Sequence, residues 1–263
     1  DVTAATDSPM INAAGYIFIP LNDHKQTHMQ LKQLITETSP YREMVRGTVL
    51  VSPEGVNMFL TGARDVLVHD LIEQQLRTID ERFSGIDWKY MECGEHGFNG
   101  TRVRLKKEVI SIGESYSSLT GQDDWDKSDH LSSDEWRRMI EHEDVQLLDT
   151  RNAYEINVGK FKNAKWFDID TFREFPSAVE SHLDEFDREK PLLMYCTGGV
   201  RCEKSAPVFK RLGFKKVYQL NGGILKYMMD MEKDETEDLF EGECFVYDHR
   251  VAVAPHDLNK RSE

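Results

Sequence analysis

The chain has 263 residues, 39% hydrophobic and 30% charged, which is enough for one large or two ordinary globular domains. Its formal net charge of −14 argues against a generic polyanion binder, and no apolar run approaches the roughly 20 residues that span a bilayer. Four cysteines (Cys93, Cys196, Cys202 and Cys244) are too few for a disulfide scaffold, and their spacing matches no zinc pattern, so no metal is expected.

The opening DVTAATDSP has neither a basic flank nor an apolar stretch, so no secretory signal is expected. A cytoplasmic protein with reduced thiols is the default. Residues 1–113 hold 12 basic and 15 acidic side chains, whereas the remainder hold 21 and 32. The first part can therefore present a basic face while the second repels polyanions.

In chain order, GYIFIPL (15–21) predicts a strand and 27–38 a helix, followed by strands at 47–52 and 56–62. Between those strands, SPEG places Pro second and Gly fourth, which is type I turn chemistry for a hairpin. Leu67, Leu71, Ile72, Leu76 and Ile79 fall on one face of a helix over 64–79. A strand over 87–93 and an extended stretch over 101–113 complete the block. The order βαββαβ predicts a ferredoxin-like α+β domain over 1–113. Within the extended stretch, Arg102, Arg104 and Lys106 share one face and suit RNA phosphates, although a solvated strand face has the same pattern.

The polar, aperiodic stretch 114–130 predicts a linker. A second domain is expected over 131–232, with a C-terminal extension over 233–263. LSSDEWRRMIEH opens with Ser132 and Glu135, a capping-box signature. VQLLDT (145–150) predicts a strand, and NAKWFDI (163–169) another. A helix over 172–186 has its first turn interrupted by Pro176. PLLMYC (191–196) predicts a strand, then come a glycine turn and a helix over about 201–212. KKVYQL (215–220) and GGILKYMMDM (222–231) form a last strand–helix pair. This alternation predicts a parallel sheet covered on both faces, with the reaction site at the carboxyl ends of its strands. The acidic segment 230–243 predicts a solvated surface.

YCTGGVRCEKS carries the chemistry. Cys196 ends a strand, and the loop Thr197, Gly198, Gly199, Val200 can turn its N–H groups inward as an anion nest. The helix behind it adds a positive dipole end, and Arg201 adds a permanent charge and a donor fork. A thiol held so should ionise near neutral pH. Cys196 to Arg201 spans six residues, one short of a cysteine-phosphatase cradle, and suits a persulfide sulfur held on the cysteine. Cys202 is expected to open the helix and pack near the cradle, or to resolve an oxidised Cys196 as a disulfide. Asp149 and Arg151 can shape the site by hydrogen bonds, or Asp149 is a strand-end residue tied to backbone N–H groups. Pro207 should remove one hydrogen bond from the helix and kink it. No role is assigned to any histidine, and Cys93 and Cys244 are read as structural.

With LLDTRNAYEINVGKFKNA, whose Asp-x-Arg is followed by a Glu and a Gly, the second block resembles a rhodanese domain. TFREFP, YCTGGVRCEKS, VYQLNGGILKY and GECFVYDHRVAV, together with PEGVN and VRLKKEVISIG in the first block, resemble the oxygen-dependent tRNA uridine hydroxylase family. The resemblance runs over roughly 14–253. It implies hydroxylation of the tRNA wobble uridine at ring carbon 5, molecular oxygen as co-substrate, Cys196 as the catalytic cysteine and tRNA as partner, with a sulfur or electron donor a further candidate partner. No flavin, haem or iron signature is recognisable. Met58–Phe59 replace the family's Gly–Thr after the Asn, and no cysteine-rich segment follows RVAV. The rival readings are a thiosulfate or persulfide sulfurtransferase, which the cysteine loop supports equally, and a non-catalytic binding module.

Overall fold

The computed structural model describes residues 8–113, 130–231, 239–246 and 252–253. They fall into two units, one ending at Val109 and the other beginning at Ile110.

In the first unit, β1 (Met10–Phe18), β2 (Arg46–Ser52), β3 (Gly55–Ala63), β4 (Lys89–Cys93) and β5 (Thr101–Leu105) form one sheet in the order β4-β1-β3-β2-β5. β1, β3, β2 and β4 pair antiparallel, which is the ferredoxin-like arrangement, and β5 adds parallel to β2. SPEG closes the expected hairpin, with Ser52 opposite Gly55. β1 starts five residues before the expected strand. After Met10 and Ile11 its early residues, Asn12, Ala13 and Ala14, are small or polar, and the pairing that holds them is tertiary: buried Asn12 accepts a hydrogen bond from the buried Thr61 hydroxyl on β3.

Two helices cover the sheet. α1 (His24–Lys32) is capped by the Asp23 carboxylate, which accepts from the Gln26 N–H, and Leu31 is its buried residue. α2 (Asp65–Gln75) has wide-turn π geometry and passes into a last α turn, Leu76–Ile79. Leu67, Leu71, Ile72 and Leu76 are buried on the expected face, and Ile79 packs against the same core. Met58, one of the family departures, is fully buried there. The extended stretch from 101 ends as a strand at Leu105, because only its first five residues find β2 to pair with.

In the second unit, β6 (His130–Leu131), β7 (Gln146–Asp149), β9 (Lys165–Trp166), β10 (Leu192–Tyr195) and β11 (Val217–Leu220) form a wholly parallel sheet in the order β6-β11-β10-β7-β9. β10 is central and buried along its whole length, as its apolar run requires. α3 (Ser133–His142) begins with the full Ser132–Glu135 capping box. The short α4 (Ala153–Ile156) follows β7, and β8 (Gly159–Phe161) pairs antiparallel with β12 (Phe240–Gly242) near the chain's end. β13 (Cys244–Phe245) pairs with β14 (Ala252–Val253).

The segment expected as one helix over 172–186 is instead three pieces. A 3-10 turn at Phe172–Glu174 leads into α5 (Phe175–Ser181), and another follows at Leu183–Glu185. Pro176 sits in the first turn of α5, where its missing N–H would have had no intrahelical acceptor. Pro207, by contrast, lies inside α6 (Cys202–Arg211), which runs on through it. α7 is Gly223–Met231.

The stretch read as a linker lies outside the described residues up to 129, and His130 already belongs to β6. Of the acidic segment, 232–238 lie outside the described residues. Glu241 and Glu243 are exposed, whereas Asp230 pairs with Lys226 and accepts from the Ser133 hydroxyl.

Candidate active site

The cysteine loop is built between two helix N-termini. β10 carries the chain to Cys196 at the carboxyl edge of the parallel sheet, and α6 starts at Cys202. From the other side, the first turn of α7 donates into the loop: Ile224 N–H to the Cys196 carbonyl at 3.0 Å and Leu225 N–H to the Thr197 carbonyl at 3.1 Å. Gly223 makes this contact possible. Its φ is +66°, and a Cβ there would stand 2.5 Å from the Cys196 carbonyl oxygen.

Within the loop, the Gly199 N–H donates to Cys196 Sγ at 3.1 Å. The N–H groups of Arg201 and Cys202 also favour charge on that sulfur, the Cys202 N–H being shared with the Gly199 carbonyl at 3.0 Å. Cys196 and Cys202 are both fully buried. Burial opposes ionisation of Cys196. The Cys202 thiol as donor, the Arg201 charge and the two N–H groups outweigh it and bring the Cys196 pKa down to about 6. Cys202 moves the other way, well above the ordinary thiol range, through burial and through giving its proton toward Cys196; its sulfur also lies 3.6 Å from the Thr150 hydroxyl. The arrangement favours the anion on Cys196 and the neutral thiol on Cys202.

This pairing predicts a pH profile. Alkylation of Cys196 by iodoacetamide should rise with a midpoint near 6 and level off above neutrality. Cys202→Ala removes a donor and should move the midpoint up toward the ordinary thiol range, roughly 8.5. Cys202→Ser keeps a donor and should leave it low. An unmoved midpoint in Cys202→Ala would contradict this account.

The Arg201 fork is committed to protein. Its two terminal nitrogens donate to the Glu155 carboxylate at 2.6 and 2.7 Å, in a buried pair, and the Thr197 hydroxyl donates to the same carboxylate at 3.2 Å. Arg201 therefore acts on Cys196 by its charge and its backbone N–H, while its guanidinium ties the loop to α4. Burial opposes ionisation of Glu155, but the charge and hydrogen bonds of Arg201 dominate and hold its pKa below the usual carboxylate range.

Comparison with known proteins agrees with both halves of the chain. The family model for the UPF0176 acylphosphatase like domain matches residues 10–109, and that for the Rhodanese-like domain matches 132–230. A protein of Legionella pneumophila (strain Corby) named tRNA uridine(34) hydroxylase is 39% identical over 249 residues, covering 93% of this chain and 90% of that one. One of the same name from Acinetobacter baumannii (strain AYE) is 37% identical over 243 residues, covering 92% of this chain and 71% of that one. The chain belongs to the tRNA uridine(34) hydroxylase family.

In this member of the tRNA uridine(34) hydroxylase family, the structure brings together Cys196, Thr197, Gly198, Gly199, Val200, Arg201 and Cys202 as one cradle. Asp149 and Arg151 form a fully buried pair next to it. The Asp149 carboxylate accepts from the Arg151 backbone N–H at 3.0 Å and from its guanidinium at 2.7 Å, and Arg151 also donates to the Gly159 carbonyl. Asp149 thus ties a backbone N–H at the strand end, as one of its two sequence readings had it, and fixes the arginine that braces β8. Arg102 and Arg104 are exposed on β5 in the first unit, and Lys106 is exposed one residue past its end.

Two residues that sequence reasoning assigned no role belong to the site: Glu155 and Gly223. The signal for Glu155 was present, since Asn152 and Glu155 have capping-box spacing and the box forms. Among the described residues, no three His, Cys, Asp or Glu side chains cluster as a metal site, and no helix is long and apolar enough to cross a membrane.

Proposed function

We propose that the chain hydroxylates uridine 34 of tRNA to 5-hydroxyuridine, with Cys196 as the reacting atom and molecular oxygen as co-substrate. The observation that carries this reading is the low-pKa thiolate held in a six-residue cradle, in a chain that shares over nine-tenths of its length with proteins named for that activity. The cradle stabilises negative charge on sulfur with amide donors at the start of α6, so the anion is ready before substrate arrives. Placing one oxygen atom of O2 on the base and releasing the other as water consumes two electrons, so a sulfur or other reductant is a required partner. The enzyme is cytoplasmic in this reading. Sulfur transfer would use the same thiolate, but it leaves the first unit without a task. The test is the 5-hydroxyuridine content of tRNA from cells carrying wild-type or Cys196→Ala protein.

The same reading assigns Arg102, Arg104 and Lys106 to tRNA phosphates. They are exposed along an edge strand in the part of the chain with the smaller acidic excess. Each phosphate contact removed lowers the slope of log affinity against log salt by about 0.7–0.9. Arg102→Ala with Arg104→Ala should therefore weaken tRNA binding at low salt and flatten that slope by about 1.5. An unchanged slope in a salt titration would remove these residues from the interface.

A further inference from the structure

Cys196 is fully buried, yet a reaction at its sulfur brings the substrate within about 3–3.5 Å of it. Some part of the cradle must therefore admit the substrate. Thr197, Val200 and Arg201 are 6%, 8% and 4% exposed, and Gly199 is buried. Gly198 alone in the six-residue loop is not buried.

Gly198 also differs in kind from the other glycines of the site. Gly199 has φ +95° and Gly223 has φ +66° with backbone atoms crowding the place of a Cβ, so the fold itself requires those two. Gly198 has neither constraint. Its φ lies outside the left-handed region, and a Cβ built on it meets nothing within 4 Å. The fold would accept a side chain there. The N–H of the next residue donates to Cys196 Sγ at 3.1 Å, so position 198 lies beside the sulfur in the loop, and a side chain there would extend from it into open space.

We infer that Gly198 is the gap through which the substrate base reaches Cys196, and that its missing side chain sets the size and shape of what can react there. This makes Gly198 a specificity-determining position of the reaction proposed above, and it rests on Cys196 being the reacting atom. A flat pyrimidine can lie over a bare Cα, whereas a branched side chain in the same space would hold it off the sulfur. A small reagent would still pass.

The test uses Gly198→Ala and Gly198→Leu in the full chain, with three readouts: melting temperature, Cys196 labelling by iodoacetamide and by a bulky aryl maleimide, and 5-hydroxyuridine in tRNA of complemented cells. Both variants should melt with the wild type. Gly198→Leu should keep the iodoacetamide rate within about twofold while maleimide labelling and 5-hydroxyuridine each fall at least about tenfold, with Gly198→Ala in between. The inference is overturned if Gly198→Leu modifies tRNA like wild type, if both reagents slow equally, or if Gly198→Ala fails to fold. If the reagents are discriminated by size but wild-type protein makes no 5-hydroxyuridine, the gap stands and the hydroxylase reading falls.

Discussion

Glu155→Ala should destabilise the second unit by about 3–5 kcal/mol, read as a loss in urea-unfolding free energy, because it leaves the Arg201 guanidinium buried without its counter-charge. The pair it breaks is bidentate, has almost no solvent contact and also carries the Thr197 hydroxyl, so water cannot replace the lost partner in place. Glu155→Gln keeps an acceptor and should lose less. It should also shift Cys196, since removing an anion from beside Arg201 leaves more uncompensated positive charge near the sulfur, and the alkylation midpoint should fall below its wild-type value near 6. The pH dependence follows from the direction of the Glu155 shift. Its folded pKa is lowered, so its contribution is present above the unfolded carboxylate range and is lost as pH falls through the folded value. The stability gap between wild type and Glu155→Gln should therefore close on acidification. A gap that widened, or a variant as stable as wild type at neutral pH, would mean that Arg201 finds another partner.

Cys196→Ala should remove the activity by a factor of about 10³ or more, the scale seen when a nucleophile is deleted from an otherwise intact site. Cys202 cannot stand in for it. That thiol is buried, its pKa is pushed well above the ordinary range, and it starts a helix where the loop amides point at the other sulfur. The variant should fold, since it trades a buried thiol for a methyl group within an apolar cluster that includes Leu192, Met194 and Phe209. Its protein should also lose the labelling phase with a midpoint near 6. Persistence of that phase would place the low-pKa thiol elsewhere in the chain.

Local patterns in the sequence carried much of the fold. The apolar face of Leu67, Leu71, Ile72 and Leu76 marked a helix because its period is set by the chain's own geometry, and SPEG marked a hairpin because Pro fixes φ and Gly permits the positive φ that Gly55 adopts, wherever they stand. The cysteine loop was legible for the same reason, since the donors that face the sulfur lie within six residues of Cys196. What stayed hidden depends on contacts between distant segments. Glu155 meets Arg201 across 46 residues, and no local pattern pairs them. β12 meets β8 from near the end of the chain, and β6 is two residues long, too short to show any period. Gly223 read as part of an ordinary helix start, because its close approach to the Cys196 carbonyl exists only once β10 and α7 are adjacent. The partner of the Arg201 donor fork stayed hidden for the same reason, because it is not in the loop.

The most direct test of the account is nucleoside mass spectrometry of tRNA from cells lacking this protein and any redundant uridine-34 hydroxylating activity, complemented with wild type, Cys196→Ala or Cys202→Ser. The account predicts 5-hydroxyuridine with wild type, loss to background with Cys196→Ala and retention of the modification with Cys202→Ser. Equal 5-hydroxyuridine in the wild-type and Cys196→Ala cells would contradict it.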